Sequence, residues 1–175
     1  MTAQDGRDGS LTMERDADFA AYAAGRWTSL VRSAVLLGCA HADAEDLAQA
    51  TLLKAWSSWA RVRRADDPDA YVYRILVNTL STSRRRRWRG ERPTDRTPDR
   101  AVADASLDVE LRDTVVRAVG RLPPAQRAVL VLRFVADLSE RATAEALGIP
   151  VGTVKSRVSR ALAAVDLAEL AQEEL

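Results

Sequence analysis

The residues of this chain best placed to do chemistry are polar and cationic side chains at helical spacing, and the chemistry they suit is recognition of nucleic acid. In LSERATAEALGIPVGTVKSRVSRAL, residues 138–162, Thr153, Ser156 and Arg160 share one side of a 3.6-residue wheel with Gly152, and Lys155 and Arg157 flank them. Small and hydroxylated residues let a helix enter a major groove, while its cations reach base edges and phosphates. A second set lies upstream, where Arg74, Asn78, Ser81, Arg85 and Trp88 fall on one face. An indole among arginines can stack on an unpaired base while the cations hold the backbone. The bland reading of both sets is a solvated basic face. A third set, Asp46, Gln49, Ala50 and Leu53, also faces outward. A leucine among an acid and an amide suits either a protein-docking surface or a solvated face with one stray apolar residue, and periodicity does not choose between them.

These residues need helices to present them, and the chain supplies helix signals throughout. Phe19, Ala23, Trp27, Leu30, Ala34 and Leu37 recur at three- and four-residue spacing, which predicts one amphipathic helix from Asp16 to Leu37, ended by Gly38. A second helix is expected from an Asp43 cap to about Trp59, with Ala44, Leu47, Ala48, Thr51, Ala55 and Trp59 turned to the core. Arg61, Arg63 and Arg64 stand in a short connection ending at Asp67, which can cap a third helix that opens at Pro68 and buries Val72, Ile75, Leu76 and Thr79. Beyond Trp88 the periodicity collapses into RGERPTDRTPDRAVADAS, a linker by composition. Ser106 is the expected cap of a helix carrying Leu107, Leu111, Val115 and Val119. Leu122-Pro123-Pro124 separates it from another helix carrying Val129, Leu130, Leu132 and Phe134.

The stretch opened with then closes the fold. Ser139 to Leu147 reads as a short helix stopped by Gly148, and Pro150 sits at or near the first turn of the next, which buries Val154, Val158, Ala161, Leu162 and Val165. Two short helices across a tight turn make a helix-turn-helix. The expectation is an all-α chain of two small helical domains joined by a flexible linker, the C-terminal one containing the helix-turn-helix. Its parts are a disordered tail at 1–14, a helical domain at 15–89, the linker at 90–105, a four-helix domain at 106–168 and an acidic tail at 169–175.

Composition narrows the function by exclusion. Lys and Arg number 26 against 25 Asp and Glu, so net charge points to no partner. Its distribution does, through the basic block at Arg84 to Arg87 with Arg89. One cysteine, Cys39, and one histidine, His41, allow no intrachain disulfide and no Cys/His zinc site. The eight glycines are scattered, so no phosphate-cradling loop forms, and no serine or threonine has a triad-like partner. Asp43, Glu45 and Asp46 complement a helix start better than they ligate a metal. The chain is therefore expected to be no enzyme and to need no cofactor or metal. A polar start without an apolar core, and no stretch of membrane-spanning length, place it in the cytoplasm, with Met13 as an alternative first residue.

At this point the motifs resemble a known family. AEDLAQATLLKAW at 44–56 is similar to region 2.2 of the sigma-70 family of RNA polymerase sigma factors, AYVYRILVNTLSTSRRRRWR at 70–89 to its regions 2.3 and 2.4, and residues 122–162 to its region 4. The short linker fits the small extracytoplasmic-function (ECF) group, and the sequence looks most like the actinobacterial sigma-E-like branch. The resemblance implies a promoter-recognition subunit whose partners are core RNA polymerase, through its largest and second-largest subunits, and promoter DNA, both duplex and non-template single strand. An anti-sigma factor would be a further partner. Asp46, Gln49 and Leu53 would bind core polymerase. Arg74, Asn78, Ser81, Arg84, Arg85 and Trp88 would engage the −10 element, with Arg61, Arg63 and Arg64 in the connection helping to hold a flipped base. Thr153, Lys155, Ser156, Arg157 and Arg160 would read the −35 element. The family's usual acid at Ala50, small and acidic residues at Arg141 and Ala142, and capping Ser at Pro150 are replaced. The competing class is a LuxR-like transcription regulator with a similar C-terminal motif, which ordinarily has an α/β receiver or ligand-binding domain before it.

Overall fold

A computed structural model describes residues 5–90 and 108–173, with side chains described over 13–85 and 115–165. Every element among them is a helix: α1 (Asp5–Leu36), α2 (His41–Ser57), α3 (Trp59–Val62), α4 (Pro68–Gly90), α5 (Asp108–Arg121), α6 (Pro124–Phe134), α7 (Glu140–Leu147) and α8 (Val151–Glu173). The expected linker and the Ser106 cap fall outside the described residues, apart from Gly90, which ends α4.

In the first half, α1 lies along α2, α2 along α4, and the single turn α3 bridges α2 and α4. Leu30, Leu76, Val62 and Val72 are fully buried where these helices meet. The six inward residues predicted between Ala44 and Trp59 are all buried, joined by Leu52. They do not lie on one helix, however. Ser57 and Ser58 both donate their hydroxyls to the Lys54 carbonyl, and Ser58 leaves helical geometry at φ −116°, ψ 20°. These local bonds compete with the next helical turn, so Trp59 opens α3 instead. Nor does Asp43 cap α2. The helix starts at His41 with Ala40 in the cap position, and Asp43 lies in the first turn, where its charge still complements the helix dipole.

The second expectation that changes is the tail. α1 begins at Asp5, so residues 5–14 extend the helix. Once packing has fixed the downstream turns, each added residue contributes a hydrogen bond without a new nucleation cost. Likewise α8 continues through residues 169–173 of the expected acidic tail.

In the second half, α6, α7 and α8 pack mutually around Val129, Val131, Leu132 and Val154, and α5 rests on α8. Sequence spacing chose some of the wrong apolar residues here. Val115, Phe134 and Leu162 are exposed, at 44, 56 and 43%, while Ala118 and Val119 of α5 turn inward, with Leu122 buried just past its end. The sharp turns were legible. The Ser139 side chain accepts the Ala142 N–H at 3.0 Å, a cap contributing about 1 kcal/mol. Gly148 ends α7 at φ +64°, a conformation that costs other residues strain.

The halves are not separate bodies. α7 lies against α4, and α1 touches α5 and α6. One buried core runs from Leu30, Leu47 and Leu76 through Leu80 into Val131, Leu138, Ala142 and Ala146. Small alanines on α7 are what let the two helices approach. Where α1 ends, Gly38 at φ +98° leaves room for two arginines, with the Arg127 Nη1 only 2.7 Å from where a Cβ would stand. Arg127 donates to the carbonyls of Gly120 and Leu122, and Arg84 to that of Leu37. Burial, and then the charge of Arg84, lower the Arg127 guanidinium from its ordinary value.

Candidate interaction surfaces

The first surface is the outer face of α2. With the opposite arc sealed in the core, Asp46, Gln49 and Leu53 all point to solvent, and Leu53 is 63% exposed. Ala50 is half-buried and lines a hollow of about 270 Å³ between α2 and α4. Thr51, buried on the inner arc, turns its hydroxyl back to the Leu47 carbonyl at 2.7 Å, so the core face carries no unsatisfied oxygen there.

The second surface is built on α4. Asp67 accepts the Ala70 N–H at 2.9 Å and starts the helix as predicted. Val72, Leu76, Thr79 and Leu80 are buried, and Thr79 accepts a hydrogen bond from Lys54 at 2.9 Å. That anchoring turns Arg74, Asn78, Ser81 and Arg85 outward, all exposed. Arg84 departs from the set: its guanidinium donates to the Leu37 carbonyl, just past the end of α1, at 2.6 Å. Trp88 lies outside the described side chains. Before α4, Arg61 stands on α3 and not in the connection, where the sequence reading puts it; it and Arg64 are exposed, and Arg63 is ion-paired with Asp18 at 3.3 Å.

Sequence reasoning missed the α1 side chains beneath that connection. Asp18, Tyr22 and Arg26 are spaced at i, i+4 and i+8, a signal overlooked because only the apolar residues of this helix were counted. The Tyr22 hydroxyl donates to Asp69 at 2.8 Å, and Arg26 is ion-paired with the same carboxylate. Burial, then the Asp69 charge and hydrogen bond, push the Tyr22 phenol well above its ordinary value, so it stays a donor throughout the working pH range. Phe19, Tyr22, Trp56 and Trp59 pack beside these polar contacts in tilted and edge-to-face pairs, with ring centroids 5.1–5.2 Å apart.

The third surface is the N-terminal half of α8. Val154 and Ala161 are fully buried, so Gly152, Lys155 and Arg160 project to solvent, with Thr153, Ser156 and Arg157 half-buried at the margin. Lys155 reaches Glu140 at 3.5 Å, but both side chains are largely exposed, and such a pair is readily exchanged for a phosphate. Ser156 donates to the Thr153 carbonyl at 3.1 Å, leaving its oxygen as an acceptor.

Comparison with known proteins gives these surfaces a context. The sigma-70 region 2 family matches residues 24–90, and the sigma-70 region 4 family matches residues 112–165. The RNA polymerase sigma-E factor of Streptomyces avermitilis is 37% identical over 146 residues, covering 83% of this chain and 82% of that one. The ECF RNA polymerase sigma factor SigM of Mycobacterium tuberculosis is 38% identical over 122 residues, covering 69 and 61%. Among solved structures, the sigma factor RpoE of Bartonella quintana, in complex with the anti-sigma factor NepR, superimposes with a TM-score of 0.72 at 31% identity, covering 85% of this chain and 94% of that one. CnrH, in complex with the cytosolic domain of CnrY, gives a TM-score of 0.62 at 26% identity, covering 89 and 90%.

Proposed function

The chain belongs to the sigma-70 family of RNA polymerase sigma factors, in its ECF group, and from that premise we propose how its surfaces divide the work of starting transcription. The observation that carries the proposal is the pairing of an exposed leucine face on α2 with two separate exposed polar, cationic faces, on α4 and α8. Asp46, Gln49 and Leu53 dock on core polymerase. Residues 15–89 take the −10 element through Arg74, Asn78, Ser81 and Arg85, with Arg84 and Trp88 extending that surface towards the linker at 90–105. Residues 106–168 take the −35 element through Thr153, Lys155, Ser156, Arg157 and Arg160. The LuxR-like alternative loses its basis, because the first half matches sigma-70 region 2.

No covalent step is needed, and the chain works by binding, in the cytoplasm with the polymerase. Flipping a base out of the duplex costs a few kcal/mol. Stacking returns about 1–3 kcal/mol per captured base. Trapping one or two bases at the connection through Arg61, Arg63 and Arg64 therefore suffices at an easily melted sequence.

The packing of α7 on α4 adds a requirement. Packed helices lie roughly 8–10 Å apart. Because α7 packs on both α4 and α8, α8 lies at most about two such spacings, roughly 20 Å, from α4. The two promoter elements, named for positions about 25 base pairs apart, lie roughly 85 Å apart at about 3.4 Å per pair. The closed arrangement cannot bridge them, so the halves separate when polymerase is bound. An anti-sigma factor, the partner of RpoE in its complex, would act on this chain by opposing that separation.

It follows that the isolated chain binds promoter duplex weakly and acquires specificity only with core polymerase. Electrophoretic mobility shift with the chain alone and with the chain plus sigma-free core checks this. Tight, sequence-specific duplex binding by the chain alone would contradict it.

A further inference from the structure

The connection between α3 and α4 is fastened at both ends to a single stripe of α1. At its entry, one oxygen of Asp18 accepts the Trp59 indole N–H at 3.1 Å and the Arg63 guanidinium at 3.3 Å. At its exit, Asp69 in the first turn of α4 receives the Tyr22 hydroxyl on one oxygen and pairs with Arg26 through the other. Side chains at i, i+4 and i+8 of a helix lie in one row, each step about 6 Å along the axis at ~1.5 Å per residue. The row therefore sets the separation of the two ends of the connection.

The fastening also borders a hollow open to solvent. Asp18, Tyr22, Arg26, Trp59, Arg63 and Asp69 line a hollow of about 410 Å³, roomy enough for a nucleobase. Its two carboxylates are each matched by a guanidinium. The hollow thus presents aromatic walls without the net negative charge that would repel a DNA strand. Further along α1, Ser29 and Ser33 share the Tyr73 hydroxyl of α4, but among the described residues it is Asp18, Tyr22 and Arg26 that meet the two ends of the connection.

We infer that Asp18, Tyr22 and Arg26 are positioning residues, which hold the connection in the shape that captures one unpaired base of the non-template strand. They act through Arg63, Trp59 and Asp69 and leave polymerase docking and the −35 contact untouched. The inference rests on the base-capturing reading of the connection given above, and the following test separates the two.

Core polymerase carrying this chain would be used to select a single-stranded oligonucleotide from a randomised pool. Each base of that oligonucleotide would then be replaced in turn by an abasic site, and binding measured for the wild type, Tyr22→Phe and Asp18→Asn, two near-isosteric variants. In the wild type one abasic position should weaken binding about tenfold, the scale of one lost stacking contact. In either variant the intact strand should bind about tenfold more weakly and the penalty at that position should shrink to about twofold. Penalties at other positions should not change. An unchanged penalty in both variants would overturn the positioning role, as would uniform weakening at every position with a lowered melting temperature. If no abasic position weakened the wild type, the base-capturing reading itself would fall.

Discussion

Leu53→Asp is expected to weaken the complex with core polymerase by about 100-fold or more while leaving the fold intact. The side chain is 63% exposed and has no place in the core. Surface substitutions of this kind change stability by roughly 0.5 kcal/mol or less. On docking, burying a leucine contributes about 1.5–3 kcal/mol. An aspartate there forfeits this and adds the cost of an unpaired carboxylate drained of water. The neighbouring residue provides the control. Leu52 sits on the inner arc at 9% exposure, and Leu52→Ala should cost about 2–5 kcal/mol of stability through the cavity it leaves. Fluorescence anisotropy against sigma-free core, with thermal denaturation alongside, distinguishes the two. Equal losses of stability from both substitutions would show that Leu53 is structural.

Arg160→Ala carries the second large effect, on promoter choice. Arg160 projects from α8 to solvent one turn past Ser156, about 100° round the helix from the fully buried Ala161. A lost bidentate contact between arginine and a base edge costs about 1–3 kcal/mol, or roughly 5- to 150-fold. Discrimination against altered −35 sequences should collapse by that factor, while affinity for core polymerase stays as in the wild type. A lost phosphate contact would look different: binding would weaken evenly across sequences, and its salt dependence would become shallower. Lys155, which exchanges an exposed ion pair with Glu140, is the residue expected to behave in that second way.

Which parts of this molecule could be read from its sequence follows from how local each determinant is. The cap at Asp67 and the stop at Gly148 depend on residues within one turn, and each stands where the sequence places it. Ser139, read as the first residue of its helix, is the cap of that helix. The inner and outer arcs of α2 were legible because a helix with a 3.6-residue period has one buried side. The same rule failed for Val115, Phe134 and Leu162. In α5, α6 and α8 the apolar residues outnumber the buried positions, and only the partner helix decides which of them turn inward. Long-range contacts left no trace of their own. Asp18 meets Trp59 and Tyr22 meets Asp69 across more than forty residues, and Arg84 was one of an arginine block until its partner, the Leu37 carbonyl, was seen. The packing of α7 on α4 was unreadable for the same reason, since small alanines advertise no interface in a helix-rich chain.

The closed packing also brings like charges together at the end of α4. Arg84 holds the end of α1 beside Arg127 from the second half, so two like charges meet across the junction of the halves. Separation of the halves would relieve that repulsion, while the Arg84 bond to the Leu37 carbonyl, which lies within the first half, would persist.

The central claim is that this chain directs polymerase to promoters, and run-off transcription tests it most directly. Purified chain would be mixed with sigma-free core polymerase and a library of genomic promoter fragments, and the transcripts sequenced from their 5′ ends. Discrete start sites are expected that depend on the chain and share sequence elements centred about 10 and 35 base pairs upstream. Transcripts indistinguishable from those of core polymerase alone, with no co-elution of the chain and the enzyme, would contradict it.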